Sequence, residues 1–315
     1  MATLLTSQLS VPYHGRAARR YRRHPASRPA RRRNRTGALY AAPLAVVVTV
    51  LFVVPLGLMI WMSLNHWPLL GASRPNGVAD YGALRDPLFG RALVFTLTYT
   101  VITTAVLSLV AFGLALLMQE ARPGVGLFRA AFFLPASVGL ASASLLFYTV
   151  FNDGSSPLNT VVRWLHPGTG GVDWLGTGSS ALYSTVGMTT WRFAGYYMII
   201  LMTGLQSINP LIYEAARSDG ASAWQVMRQI TLPLLRPTIA LMLVLLVTNS
   251  LLTFDQFFIL TGGRHSTATV VIDIYREAFT SQDLGRASAI SVAILAVLIV
   301  INGTQLRLLR RGDRR

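Results

Sequence analysis

The 315-residue chain contains no cysteine and no lysine. Without cysteine there is no disulfide framework and no thiolate metal site. Without lysine there is no intact P-loop, because that phosphate cradle needs its Lys on the β- and γ-phosphates. Nucleotide hydrolysis by that route is therefore excluded for this chain. Charge is scarce as well: charged residues make up 13% of the sequence, where a soluble globular chain carries about 25%. The five histidines (His14, His24, His66, His166 and His265) all fall outside the apolar runs. No His-Glu-x-x-His is present and no carboxylate cluster stands out, so neither catalysis nor a metal site is expected.

What the chain has in quantity is apolar length. Hydrophobic residues make up 52% of it, and mean hydropathy is +0.48. Crossing ~30 Å of hydrocarbon takes ~20 apolar residues, and six stretches qualify. They are 39–63, 92–119, 130–152, 181–206 (interrupted only by Arg192), 238–260 (with Asp255 near its end) and 287–306. The first run is longer than a signal-peptide core and lacks an A-x-A site, so it reads as an uncleaved span. The fold class predicted is all-α: a polytopic membrane protein with about six transmembrane helices.

The net charge of +16 is concentrated at the ends. Residues 1–35 hold ten arginines and no acid, and 307–315 hold five arginines against Asp313. The positive-inside rule places both tails in the cytoplasm, as six spans require. Connections 64–91, 153–180 and 261–286 are then extracytoplasmic, while 120–129 and 207–237 are cytoplasmic. Trp61, Trp67, Trp164 and Trp174 fall near the outer boundaries, where indole rings favour the interface. A basic arm also suits nucleic acid, but the body offers hydrocarbon-like runs instead of a basic face, so no nucleic-acid partner is expected. The chain divides into an Arg-rich, disordered tail (1–37), a membrane domain (38–306) and a short basic tail (307–315).

The segment 207–237 is the most informative. Asn209-Pro210 reads as a helix start, and the helix runs to about Ser218. Asp219-Gly220 breaks it, since Gly accepts the left-handed backbone of a tight turn. Ser222 and Gln225 form a capping-box pattern that opens a second helix, which Leu232-Pro233 is expected to end. Trp224, Met227 and Ile230 recur at helical spacing as one apolar stripe. That stripe either packs on the protein's own spans or docks in a partner's groove.

The spaced set Glu214, Ala215, Ala216, Gly220, Ile230, Leu232 and Pro233 resembles the coupling ("EAA") loop of ABC-importer permease subunits. The resemblance covers most of residues 38–306 and is nearest to carbohydrate-type permeases, the group of the larger maltose-permease subunit and the glycerol-3-phosphate permease. Phe128-Arg129, Leu134-Pro135, Leu205-Gln206-Ser207-Ile208, Phe254-Asp255, Leu260-Thr261-Gly262-Gly263 and Ile274-Tyr275 support it. Departures at Phe95-Thr96, Arg264-His265 and Ser156-Pro157-Leu158-Asn159 lie outside the coupling loop and bear on the solute instead.

The resemblance implies a type I ABC-importer permease fold in a bacterial inner membrane, with both termini cytoplasmic. It implies a second homologous permease, two copies of a nucleotide-binding ATPase subunit and an extracytoplasmic solute-binding protein as partners. No cofactor is bound by this chain, and ATP with Mg is used by the partner ATPase. Glu214 would make a charged contact with that ATPase, with Arg217 and Asp219 nearby; the other reading is a capping or exposed carboxylate. A sugar or sugar-like solute is expected, with a polyol phosphate or phosphodiester as the alternative.

Pathway candidates follow from cost. An arginine at bilayer depth costs roughly 2.5–3.5 kcal/mol on insertion scales and must face protein or water. Arg192, with Trp191 and Tyr196 beside it, suits a sugar's face and hydroxyls; an ion pair or a carbonyl contact between spans serves equally. Asn249, Asp255 and Gln256 are further candidates. A proton- or ion-coupled carrier, or a channel, remains the rival, with Asp255 as its intramembrane acid.

Overall fold

A computed structural model describes residues 40–119, 123–152, 156–167 and 171–311, the last four of them as backbone only. The Arg-rich tail 1–37 and residues 312–315 lie outside the described residues. By packing, the chain divides at Pro55. Residues 56–315 form one compact unit, and the first part of helix α1 belongs to the other.

Helix α1 (Tyr40–Met62) contains a π turn at Thr49–Val53. No residue of its most apolar stretch is buried among the described residues. A two-residue hairpin follows, Asn65–His66 paired antiparallel with Arg74–Pro75, and then a 3-10 turn, Ala79–Arg85. Helix α2 (Pro87–Met118) starts where the Asp86 carboxylate accepts the Leu88 N–H at 2.8 Å, with Pro87 at the first helical position.

Helices α3 (Val125–Ser137) and α4 (Leu140–Phe151) stand where the sequence predicts one span over 130–152. They meet at 95°, so that span is broken. Val138 and Gly139 between them take extended backbone, and Pro135 lies in the last turn of α3. Short α5 (Pro157–Leu165) leads to α6 (Gly178–Gln206), which opens with a Thr177–Ser180 capping box.

Helix α6 is the predicted fourth span, and it packs along α2, α3 and the long segment Leu232–Leu251 of α8. It is not among the four stretches apolar enough to count as spans by composition, which are Tyr40–Met62, Pro87–Met118, Ala223–Leu260 and Leu284–Arg307. The reason is where its polar groups go. Ser184, Thr185, Thr189 and Arg192 are buried in protein, and the Thr189 hydroxyl meets Tyr99 of α2 at 2.9 Å. Tyr197, Met198 and Leu201 of α6 form the main core with Leu107 and Ala111 of α2 and Leu246 of α8. Small residues bring the helices together. A Cβ at Gly195 would lie 2.0 Å from the Phe132 carbonyl oxygen, and one at Gly204 would lie 2.3 Å from Thr238 Oγ1.

Helix α7 (Pro210–Ser218) is followed by α8, made of Ala223–Val226 and Leu232–Leu251 joined through a π turn, Met227–Thr231. Short α9 (Asp255–Leu260) and α10 (Val270–Tyr275, extended by the π turn Arg276–Thr280) precede the last long helix, α11 (Leu284–Arg311).

Candidate functional site

The 207–237 loop folds largely as its residues dictate. Asn209 Oδ1 accepts the Leu211 N–H at 3.0 Å and Pro210 occupies the first helical position, so α7 begins where expected. Gly220 sits at φ 77°. There the Ala221 N–H donates to Ala216 O and the Gly220 N–H to Arg217 O, both at 3.0 Å, closing a Schellman turn. The capping box is present: the Ser222 N–H donates to Gln225 Oε1 at 2.7 Å, and the Gln225 N–H to Ser222 Oγ at 3.4 Å.

The end of the second helix differs from the expectation. Pro233 does not terminate it, and neither does Pro237; the helix runs on to Leu251. The π turn supplies the reason. Inserting a residue shifts the hydrogen bonding to i→i+5, with the Leu232 N–H donating to Met227 O, and Pro233, which has no N–H to place, falls in the first turn after the shift. The second helix of the loop and the first part of the predicted fifth span are thus one continuous rod up to Leu251, while non-helical Thr253 and Phe254 interrupt the rest of 238–260 before α9 (Asp255–Leu260).

Side chains sort into two sets. Glu214, Ala215, Asp219 and Gly220 are exposed, and Trp224 is 69% exposed. Ala216 is buried, while Met227, Ile230, Leu232 and Pro233 are half-buried. The apolar stripe therefore divides, with Trp224 outward and Met227 inward. Met227 lines a cleft of about 650 Å³ with Leu116, Leu205, Tyr213, Arg217 and Val226, between the α7–α8 turn and the ends of α2 and α6. The Tyr213 hydroxyl lies 3.4 Å from Thr231 Oγ1, linking α7 to the π turn. Glu214 makes no hydrogen bond or ion pair among the described residues, so it caps none of them.

No two of the six pathway candidates share a hydrogen bond or ring contact among the described residues, although Tyr196 and Asn249 both meet Tyr197. Arg192 is buried; its Nε donates to the Val138 carbonyl at 3.0 Å, Nη2 reaches the same oxygen, and the guanidinium sits 4.4 Å from the Phe193 ring centroid. It holds the end of α3 at the bend, which is the carbonyl contact of the two readings. Arg129 does the same for α2, with Nε donating to Met118 O at 3.2 Å. Trp191 and Tyr196 are exposed, Trp191 lying 5.1 Å from Phe147 by ring centroids. Asn249, also exposed, donates to the Tyr197 hydroxyl at 3.4 Å. Gln256 is buried, accepting from Thr253 at 2.6 Å, and Asp255 is half-buried.

Asn159 carries more than its sequence context indicated. Its Oδ1 accepts from Val172 N and Trp174 Nε1, each at 2.9 Å, and its Nδ2 donates to Val172 O at 3.1 Å. It pins α5 to the approach to α6. A lone Asn after Pro-Leu offers no signal of that, because its partners lie 13 and 15 residues away.

A coupling turn continuous with a spanning helix invites comparison with known transporters. The family described as binding-protein-dependent transport system inner membrane component matches residues 26–313. This chain belongs to that family. The permease is 30% identical over 276 residues to the trehalose/maltose transport system permease protein MalF of Thermococcus litoralis, covering 87% of this chain and 92% of that protein. It is 29% identical over 274 residues to the trehalose transport system permease protein SugA of Mycobacterium tuberculosis, with 85% and 86% covered. Among solved structures, a bacterial ABC transporter that imports the acidic polysaccharide alginate aligns at TM-score 0.77 and 24% identity, with 90% of this permease and 99% of that chain covered. The all-α type I importer permease fold and a multi-pass place in the inner membrane follow.

Proposed function

We propose that this permease forms half of the pathway for a sugar or sugar-like solute and is driven through residues 207–237 by a separate ATPase. The observation that carries this reading is the single rod from Ala223 to Leu251, with the exposed α7 and Trp224 at its free end. A force applied to that end is delivered into the bilayer without a hinge. Two copies of a nucleotide-binding subunit would seat the two coupling turns and draw them together when ATP closes their dimer. ATP and Mg act there, and this chain binds neither. Glu214 would pair with a basic group on the ATPase. A second homologous permease would cover the exposed Trp191, Tyr196 and Asn249 and complete the pathway, with Arg192 as a positioning residue behind them. An extracytoplasmic binding protein would deliver the solute, and both termini would lie in the cytoplasm. The sugar assignment draws on the names of the relatives.

Reconstitution tests the reading. Proteoliposomes holding the purified complex should take up a disaccharide only with internal ATP and external binding protein. Uptake driven by a proton gradient alone would favour a secondary carrier.

A further inference from the structure

Away from the coupling turn, three side chains distant in sequence meet where the first connection packs on the head of α11. His66 comes from the small hairpin, Asp80 from the 3-10 turn and Asp283 from the residue before α11, and one ligand atom from each lies within 4.8 Å of the others. Their backbone is firmly tied. The Leu284 N–H donates to Trp67 O at 2.8 Å, the Leu69 N–H to Gln282 O at 2.8 Å, and the Arg286 N–H to Asp283 Oδ1 at 3.0 Å.

Asp80 is the unusual member. It is 93% buried by its 7% exposure, and only one of its oxygens is satisfied, Oδ1 by Asn76 Nδ2 at 2.8 Å. Oδ2 is buried with no hydrogen-bond partner among the described residues. A buried carboxylate oxygen left unpaired is costly, and such an atom in a native fold calls for an occupant. Gly285 keeps the space open: a Cβ there would lie 2.5 Å from Asp80 Oδ2 and from the Asn65 carbonyl oxygen. Nearby, Arg286 is engaged with Glu277 at 3.7 Å.

We propose that His66, Asp80 and Asp283 bind a divalent zinc-type cation that clamps the first connection to the start of α11. One imidazole nitrogen with two carboxylates is a mixed N/O set that suits zinc better than calcium or magnesium, which take oxygen ligands. The spacing agrees. Two ligands at zinc distances in tetrahedral array stand about 3.4 Å apart, and His66 Nδ1 lies 3.7 Å from Asp283 Oδ2. Three protein ligands leave one position for water.

The test is a Zn²⁺ titration of the full-length permease, purified with its copurifying partners through a tag free of histidine, against a competing fluorescent chelator. Wild type should bind one more Zn²⁺ per chain than His66→Gln and Asp80→Asn, or bind it at least tenfold more tightly than each. Zn²⁺ should raise the thermal midpoint of wild type alone. His66→Gln changes a half-exposed side chain, so its folding is not at issue. Undiminished binding in either variant, or no Zn²⁺ bound by wild type, would overturn the proposal.

Discussion

At the scale of single residues, arginine in this chain works on carbonyl groups. Arg192 and Arg129 each reach the terminal carbonyl of a different helix, and Arg276 Nη2 donates to the carbonyls of Gly262 and Gly263 at 3.1 and 3.3 Å. The guanidinium fork suits this, and helix C-termini favour a cation. Replacing Arg192 by Ala leaves the Val138 carbonyl without that donor, at a cost of about 1–3 kcal/mol. The expected outcome for Arg192→Ala is a lower thermal midpoint and less assembled protein, with solute preference unchanged among the molecules that remain. A changed preference would put Arg192 on the solute instead. Gly195→Val should fail more severely, since a Cβ would overlap the Phe132 backbone; reduced assembly on native gels is the readout. Asp273 carries a pH prediction. Burial, then Glu277, raise its pKa. The folded state therefore holds the proton longer than the unfolded state, and stability falls as pH rises from the unfolded value of 3.8 through the raised folded one. Asp273→Asn should flatten that fall, as read from thermal midpoints across the acid range.

At the scale of elements, the turn between α7 and α8 was legible because its signals are local. Asn209-Pro210, Gly220 and Ser222 with Gln225 each specify geometry within a few residues, and each adopts it. What failed was the rule that proline ends a helix. It assumes i→i+4 bonding, and the π turn at Met227–Thr231 evades it with one extra residue. The break in 130–152 was missed for the converse reason: apolar length reads as a span whether or not the backbone is straight. Arg192 illustrates the limit of cost arguments, which require a partner for a buried arginine without saying which. Two predictions belong here. Gly220 has open space around it, so Gly220→Val costs only the left-handed backbone, about 1–2 kcal/mol. Uptake should be lost while membrane insertion, assayed by protease protection, persists. Ser222→Ala removes the cap at about 1 kcal/mol and should weaken coupling, measured as ATP hydrolysed per solute, more than it lowers the amount of protein.

At the scale of the whole molecule, polar and apolar groups sort by helix: α6 buries Ser, Thr and Arg in protein, whereas no residue of α1's most apolar stretch is buried among the described residues. That contrast suits a protein whose surroundings are lipid. Composition made the membrane class plain, because so little charge cannot cover a soluble globule. The solute route was not legible, since a buried polar residue such as Arg192 serves helix packing as readily as passage. Coupling is the claim on which the functional account rests. The absence of cysteine makes it directly measurable, because Trp224→Cys introduces a unique thiol at the free end of the rod. A thiol-reactive crosslinker attached there should join the permease to an ATP-binding subunit in the purified complex, with a yield that changes when ATP is added. A complex with no such subunit, or a thiol at that position labelled by impermeant reagents from outside the cell, would contradict the account.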